Sequence, residues 1–544
     1  MRFTYATIVL LMATEIEMTT EIELKFLLKE SSTPAHTITT INELLLAKNI
    51  EFCSSELQLS NHYFDTRQLN FRKYDMGLRV RKCHSIDKIY REQTIKTSGK
   101  VQGGLHQRPE YNVSIESTLP ELSLFPSEIW HKEQNVEQLQ TELITLFSTD
   151  FLRTVWTITL PQSKNKEALS VIELVFDLGK VESNGLHEKI CELELELVSG
   201  ELEDLLFIAD SISQCLKVRL GQKSKAARGY ALWYLSSSFE EEKVTNKKSN
   251  TNRHSPTLSL IPLSDCNNIN QAFLSGINFC LNHLQLDVDD YIERPSLTTL
   301  TKVTEMLALI RHGFWVFDQY LPEELRKIRE QLSSFIKLFD WVEDAVHLKE
   351  LLTKKGNYRT KLHYSEQLIT QLKVEKSHYP NNEQVNELFH STGFTQIQLA
   401  LIKLILQEKV MITEGDRSHL LEFSGQALDN SLCGLATVME LNKELNRDQY
   451  LVNHTLLVRT LLTGSWFGSL YDKEDRLTFR NPWLDTQQGI SELQTLLLLQ
   501  KQLTVLTEPL NKLTIWLDSK IEHLLETLHQ SKEQALLLMP YWRG

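Results

Sequence analysis

The chain has 544 residues and carries 71 acidic against 58 basic side chains, a formal net charge of −13. Because a nucleic-acid backbone is held by an excess of Lys and Arg, this balance argues against a general nucleic-acid binder, although it leaves room for a local basic cavity. Charged residues make up 24% and hydrophobic residues 41% of the chain, which excludes wholesale disorder. A chain of this length exceeds what one hydrophobic core normally serves, so we expect at least two domains.

The cysteines and the apolar runs indicate the compartment. The seven cysteines are scattered and form no C-x-x-C pair, which favours neither a disulfide framework nor a zinc site and suggests a reducing cytoplasm. No apolar run reaches the roughly 20 residues of a membrane-spanning helix. At the N-terminus, residues 8–12 are apolar, but one basic residue precedes them and Glu15 and Glu17 follow, unlike a signal peptide. We expect translation to begin at Met18, which would make residues 1–17 an extension that is not translated.

The chain then divides by its hydrophobic period. Residues 18–235 contain short segments of alternating polar and apolar residues, typical of antiparallel strands, with helical interruptions expected at 38–48, 134–147 and 202–215. Residues 236–259 are polar and charged with little to bury, which predicts a linker. From 260 to 544 the apolar residues recur at three- and four-residue spacings. This period predicts an all-helical bundle.

Several of the expected strands carry charge on one face. Alternation places Glu21, Glu23 and Lys25 on one side of the first strand, and the run of residues 191–197 places three more glutamates on one face. Residues 79–81 and 94–96 present basic side chains in the same way. A single strand of this kind most often covers the outside of a sheet, in water. Like charges at this spacing repel, however, and a closed barrel would let inward carboxylates share divalent cations while inward Arg and Lys pair with phosphate oxygens.

The order of these motifs resembles that of the triphosphate tunnel metalloenzymes, also called CYTH proteins. The resemblance begins with Glu21-x-Glu23-x-Lys25 and covers about residues 19–232. It continues in order through residues 63–66, 78–81, 94–96, 103–110, 149–153, 173–177, 191–197 and 224–230. The stretches 103–111 and 225–230 look most like those of bacterial inorganic triphosphatases. The resemblance implies a closed eight-stranded antiparallel β-barrel with a few helices, and dependence on two divalent ions, Mg²⁺ or Mn²⁺.

The resemblance also implies roles for individual residues. The expected metal ligands are Glu21, Glu23, Glu192 and Glu194. The expected ligands of the triphosphate oxygens are Lys25, Arg79, Arg81, Lys96, Arg108, Arg153 and Lys225, of which Lys25, Arg79, Arg81 and Lys96 are also the expected catalytic residues. The further inward carboxylates are Glu110, Glu173, Asp177 and Glu196. These could position water or a metal, or pair with an arginine of the tunnel.

The function that these features predict is hydrolysis of tripolyphosphate, or a similar short polyphosphate, to pyrophosphate and phosphate. Cations screen the phosphoryl oxygens, and a metal ion lowers the pKa of water. Two alternatives remain open. The same scaffold serves adenylate cyclases and thiamine or nucleoside triphosphatases, and a non-catalytic polyphosphate-binding sensor would use the same lumen. Neither nucleic acid nor a membrane is an expected partner.

The helical half resembles the CHAD domain in its position, length and period. Such a domain is an all-helical bundle that binds polyphosphate through His and basic residues. Here the corresponding segment, residues 298–317, carries only Lys302, Arg311 and His312, so its basic face is thin. The domain's partner, and whether it binds polyphosphate, stay open.

Overall fold

A computed structural model describes most of the chain. The described residues are 17–29, 33–84, 89–242, 259–353, 356, 358, 362, 365–407, 410–411, 415–506 and 510–543. The chain forms two compact units, the first comprising residues up to 251 together with His390–Lys403, and the second comprising Asn252–Phe389 and Leu404–Gly544. All but the last residue of the expected N-terminal extension lies outside the described residues, as does most of the expected linker.

Among its described residues, the first unit contains ten strands that pair antiparallel to one another. They are β1 (Glu17–Leu28), β2 (Glu51–Asp65), β3 (Gly77–His84), β4 (Ile89–Lys96), β5 (Lys100–Gln102), β6 (Leu105–Ser114), β7 (Ile144–Pro161), β8 (Leu169–Ser183), β9 (Leu186–Ser199) and β10 (Val218–Leu220). Their order is β10-β1-β9-β8-β7-β2-β3-β4-β6-β5, and β1 also pairs with β6. This last pairing closes eight strands into a ring, with the three-residue β5 and β10 added beside it. The expected closed eight-stranded barrel is confirmed.

Helices of the first unit flank the strands of the barrel. They are α1 (Pro34–Ala47), α2 (Asn70–Lys73), α3 (Val136–Glu142), α4 (Leu202–Cys215) and α5 (Lys225–Glu242). Leu193 and Leu195 of β9 are fully buried on the outer face, where α4 packs. The expected helix at 134–147 is shorter than predicted, because Ile144 already pairs with Asp65 of β2. Helix α5 ends at Glu242, so the first residues of the expected linker are helical.

The second unit is built from long helices. They are α6 (Ile269–Glu293), α7 (Leu297–Val316), α8 (Arg326–Ile336), α9 (Trp341–Leu352), α10 (Glu366–Ser377), α11 (Asn382–Phe389), α13 (Arg417–Val438), α14 (Arg447–Phe467), α15 (Lys473–Thr504) and α16 (Asn511–Leu537), while α12 (Thr392–Ile405) lies mostly in the first unit. The fully buried Trp466 packs against Gly276 of α6 and Gly313 of α7, where an added Cβ would lie 2.2 Å from its ring. The expected helical region after the barrel is confirmed.

Two further expectations from the sequence concern disulfides and membrane-spanning helices. No disulfide joins any of the seven cysteines, all of which lie among the described residues. Within the part of the chain that the structure describes, none of the helices is both long enough and apolar enough to span a membrane.

Candidate functional site in the barrel lumen

The barrel encloses a cavity of about 290 Å³ whose lining is mostly charged. Of the side chains singled out from the sequence, those that line it are Glu21, Glu23, Lys25, Arg79, Arg81, Lys96, Arg108, Glu110, Arg153, Glu173, Glu194, Glu196 and Lys225. Asp177 and Glu192 do not line the cavity and lie fully buried beside it. The alternating charged side chains of separate strands therefore meet in one lumen, as the closed-barrel interpretation requires.

In one part of the lumen, Arg79 and Arg81 of β3 and Arg153 of β7 lie near one another. Among the described residues Arg81 forms no ion pair, and its Nε donates a hydrogen bond of 2.9 Å to Oδ1 of Asn61. Burial lowers the pKa of Arg81, and the nearby positive charges of Arg79 and Arg153 lower it further. An anion bound next to Arg81 would relieve this repulsion, because arginine pairs well with phosphate oxygens.

Another part of the lumen presents a row of carboxylates. Glu196 of β9 lies directly opposite Glu173 of β8 on one side and Glu23 of β1 on the other. Burial raises the pKa of Glu23 to about 8, with Glu194 and Glu21 adding to the effect. Burial also raises the pKa of Glu196 to about 7, helped by the negative charges of Glu21 and Glu173.

This row fits a divalent metal ion. Carboxylate oxygens are the ligands that Mg²⁺ and Mn²⁺ prefer, and a bound cation would remove the mutual repulsion that raises these pKa values. The residues of this row that would hold such an ion are Glu23, Glu173 and Glu196, two of which, Glu173 and Glu196, are among the further inward carboxylates expected from the sequence.

Lys96 and Glu110 are paired with each other at the edge of the row. Nζ of Lys96 lies 2.5 Å from Oε2 of Glu21 and 3.2 Å from Oε2 of Glu110, and Arg79 donates a 3.1 Å hydrogen bond to Oε1 of Glu110. Burial alone would raise the pKa of Glu110, but Lys96 and Arg79 outweigh it and lower the pKa to about 2. Of the two roles left open for Glu110, the structure shows the pairing with a tunnel arginine.

A second cluster of acids and bases lies at the base of the lumen, beside α5. Asp177, Glu192 and Glu194 surround Nζ of Lys225, and the cluster's other three cations are Lys25, Arg153 and Arg228. Burial alone would raise the pKa of Asp177 and of Glu194, but the surrounding cations hold both below their ordinary values. In this arrangement Glu192, an expected metal ligand, instead pairs with Arg228 at 2.6 Å and Lys225 at 2.5 Å.

Three residues of the site were missed from the sequence. Asn61 of β2 is 1% exposed and orients Arg81, while Arg228 lies one turn after Lys225 on α5 and pairs with Glu192. His106 of β6 lines the lumen opposite Glu23, and burial together with nearby cations lowers its pKa to about 4. The sequence could have predicted His106, because it lies two residues before Arg108 on the same strand and residues two apart on a strand share a face.

A tight turn positions His106 and Arg108. Strands β5 and β6 are joined by Gly103 and Gly104, both with positive φ (61° and 92°), which a two-residue hairpin of this kind favours. The turn indicated by this Gly-Gly pair brings the start of β6 alongside β1, where Arg108 lies opposite Glu21.

Comparison with known proteins agrees with this architecture. The CYTH domain family matches residues 19–230. An inorganic triphosphatase of Haemophilus influenzae is 36% identical over 193 residues, which are 34% of this chain and 49% of that protein. The chain thus matches about half the length of this relative.

Among solved structures, the CHAD domain of the plant Ricinus communis is 15% identical, covers 54% of this chain and 98% of its own, and has a TM-score of 0.38. A Hippeastrum protein, described as a putative adenylyl cyclase with a dominant triphosphatase activity, is 18% identical, covers 40% of this chain and 96% of its own, and has a TM-score of 0.28. Similarities of this size support no conclusion about fold or function. The match to the CYTH domain family covers residues 19–230, which include the strands that build the closed barrel.

Proposed function

We propose that the chain is a metal-dependent inorganic triphosphatase, which hydrolyses tripolyphosphate to pyrophosphate and phosphate inside the barrel. The observation that carries the proposal is that one lumen holds both guanidinium groups, of which Arg81 forms no ion pair among the described residues, and a row of three glutamates on neighbouring strands. A polyanion and a divalent cation together neutralise both. The inorganic triphosphatase of H. influenzae, with its 36% identity, supports the same function.

The carboxylates Glu23, Glu173 and Glu196 would hold the metal, with Glu21 and Glu194 adjacent. A divalent ion bound there supplies a Lewis acid that neutralises phosphate oxygens and acidifies water. Either Mg²⁺ or Mn²⁺ satisfies an all-oxygen ligand set.

The cations of the lumen bind and orient the substrate. Arg81 has no ion pair among the described residues and is held by a neutral amide, so its whole charge is available to a phosphate group. Lys25, Arg79 and Lys96 already contact carboxylates and exchange those contacts for phosphate oxygens. As the P–O bond breaks, negative charge grows on the departing pyrophosphate, and cations fixed beside it stabilise that charge more than they stabilise the bound substrate.

The aromatic residues of the lumen favour inorganic triphosphate over nucleotides. Among the described lining residues, Tyr63 stacks on Phe147 with ring centroids 4.6 Å apart, and the hydroxyl of Tyr230 donates to Asp65 at 2.9 Å. Arg153 and Lys225 lie over the ring of Phe151 at 5.7 and 5.2 Å. Tyr63, Tyr230 and Phe151 are thus already engaged, so that among the described lining residues only the imidazole ring of His106 remains to stack on a base.

Phosphate release from tripolyphosphate and from ATP, each with Mg²⁺ or Mn²⁺, tests the proposal. We expect turnover of tripolyphosphate that stops with EDTA and exceeds turnover of ATP. Glu196→Gln should abolish this turnover, whereas the matched variant Glu182→Gln, at an exposed carboxylate of the same barrel, should retain it. Faster turnover of ATP, or any cyclic AMP, would refute the choice of substrate, and tight binding without phosphate release would indicate a sensor.

A further inference from the structure

The three carboxylates at the base of the lumen have the geometry of a cation site. Among the described residues, Asp177, Glu192 and Glu194 are the one group of acidic, His or Cys side chains whose ligand atoms all lie within 4.8 Å of one another. Asp177 and Glu192 are fully buried. Oxygen atoms this close, on adjacent strands of a closed barrel, are spaced as the ligands of a divalent ion are.

The centre of this group is filled by the protein itself. Nζ of Lys225 lies 2.7 Å from Oδ2 of Asp177, 2.5 Å from Oε1 of Glu192 and 2.8 Å from Oε1 of Glu194. The ammonium thus stands where a bound cation would. It does so imperfectly, because the buried Oε1 of Glu192 makes no hydrogen bond of suitable geometry although two ammonium groups lie within 3.3 Å of it.

Lys225 keeps a metal ion out of this arrangement by occupying its centre. The cations of the cluster are Lys25, Arg153, Lys225 and Arg228, and two of them also contact further carboxylates: Lys25 lies 3.9 Å from Glu23, and Arg228 lies 3.2 Å from Glu188. Five carboxylates thus surround four cations, so the net charge of the cluster does not by itself repel a divalent ion. The position among the three carboxylates is filled while the ammonium of Lys225 stands there, and it is open to an ion once Lys225 leaves.

We propose that Lys225 closes a latent divalent-cation site formed by Asp177, Glu192 and Glu194, and that a triphosphate opens it by drawing the ammonium onto its phosphate oxygens. This inference rests on the proposed function, since it needs a triphosphate in the lumen. Lys225 is placed for both states, because it lines the cavity and its four-carbon side chain is flexible.

The consequence is that metal and substrate bind cooperatively. Each ligand removes what opposes the other: the triphosphate removes the ammonium from the carboxylates, and a metal ion among the carboxylates leaves the ammonium free for phosphate. Such coupling is reciprocal for the two binding affinities. Without triphosphate, the site in the wild-type protein stays closed to metal.

The variant Lys225→Met tests the inference by metal binding. In the absence of triphosphate, titration with Mn²⁺ followed by the electron paramagnetic resonance signal of free Mn²⁺ should show one more bound ion per chain in the variant than in the wild type. The matched control is Lys164→Met, because the ammonium of Lys164 also lies between two carboxylates, Glu201 at 3.5 Å and Glu203 at 2.7 Å, but is 67% exposed. Its removal should add no ion.

A second variant protects the test against misfolding. Lys225→Met leaves buried carboxylates with fewer partners and should lower Tm in EDTA, and added Mn²⁺ should restore it, since a ligand that binds only the folded state stabilises that state. Lys225→Met combined with Asp177→Asn removes one charge of each sign and one ligand, so it should fold but gain no ion. The inference would be overturned if Lys225→Met bound no more Mn²⁺ than the wild type. It would also be overturned if Lys225→Met stayed unfolded in the presence of Mn²⁺ while the double variant folded.

Calorimetric titration of the wild type with tripolyphosphate in EDTA separates this inference from the proposed function. We expect binding, weakened roughly 10- to 100-fold by Lys225→Met, the loss of one charge-assisted contact. No binding by the wild type, either in EDTA or with Mn²⁺, would contradict the proposed function, whatever the Mn²⁺ count in the variant. Wild-type binding that appears only with Mn²⁺ would leave the proposed function standing and contradict the inference, because triphosphate alone would then not displace Lys225. Wild-type binding that Lys225→Met leaves unchanged would contradict the movement of Lys225.

Discussion

Replacing Glu23 by Gln should stabilise the metal-free protein while it removes activity. In the folded barrel, burial and the charges of Glu194 and Glu21 raise the pKa of Glu23 to about 8, against 4.5 for an unperturbed glutamate. The carboxylate is therefore unfavourable to folding unless a cation joins it. Gln keeps the shape of the side chain and removes the charge.

The size of the effect follows from the two pKa values. Between pH 4.5 and about 8 the folded state binds more protons at Glu23 than the unfolded state, so the free energy of unfolding falls as pH rises through this window. Each pKa unit corresponds to about 1.4 kcal/mol, which makes the loss about 3 kcal/mol at pH 7. Glu23→Gln should recover about 1–3 kcal/mol of it, since the buried amide needs hydrogen bonds of its own.

Chemical denaturation in EDTA at about pH 5 and about pH 9 measures this difference. The gain of Glu23→Gln over the wild type should be larger at the higher pH, and added Mg²⁺ should stabilise the wild type but not the variant. Glu56→Gln, at an exposed glutamate of β2, is the matched control and should change neither quantity. If Glu23→Gln were less stable than the wild type in EDTA at high pH, the protein would stabilise the Glu23 carboxylate as an anion without a metal. The assignment of Glu23 as a metal ligand would then be wrong.

Three further substitutions test other parts of the barrel. Arg81→Met should raise KM for tripolyphosphate roughly 10- to 100-fold with little change in Tm, because Arg81 forms no ion pair among the described residues. Arg153→Met should raise KM as well and should also lower the free energy of unfolding by about 3 kcal/mol, since it breaks the two 2.7 Å hydrogen bonds to buried Asp177. Equal stability of Arg81→Met and Arg153→Met in chemical denaturation would contradict the different pairing of the two arginines. Gly229→Ala should lower Tm by the equivalent of about 1–3 kcal/mol, because its Cβ would lie 2.1 Å from the ring of Phe147, and an unchanged Tm would exclude so close a contact.

The sequence predicted which residues share a face, but not which strands bring those faces together. Alternation along one strand is local, so Glu21, Glu23 and Lys25 could be assigned to one side without knowledge of the fold. The row formed by Glu173, Glu196 and Glu23 depends on the register of three strands, two of them far from the first in sequence. Register is set by pairing and packing of the whole sheet, and a shift of one residue would turn every side chain to the other face.

The depth of the lumen separates three glutamates of β9 that the sequence pattern treats alike. Alternation treats Glu192, Glu194 and Glu196 as equivalent, yet they occupy three levels along β9. Glu196 faces the open cavity, Glu194 touches both the cavity and the cations, and Glu192 is fully buried against Lys225 and Arg228 of α5. A helix that follows the barrel in sequence therefore decides which carboxylates a metal can reach, and no pattern within β9 contains that information.

The charge arrangement also bears on what the lumen can select. At rest most of its cations are held by its own carboxylates, so an incoming anion must replace contacts that already exist, and simple anions gain little by doing so. Under the proposed function, a triphosphate would replace several of these contacts at once, and each carboxylate that it released would become a ligand for a divalent ion that offsets the lost cation. The pairing between the lumen's own cations and carboxylates would then favour a metal–triphosphate pair over either component alone. Weakening this pairing by Lys225→Met should tighten the binding of metal alone and weaken the binding of triphosphate alone.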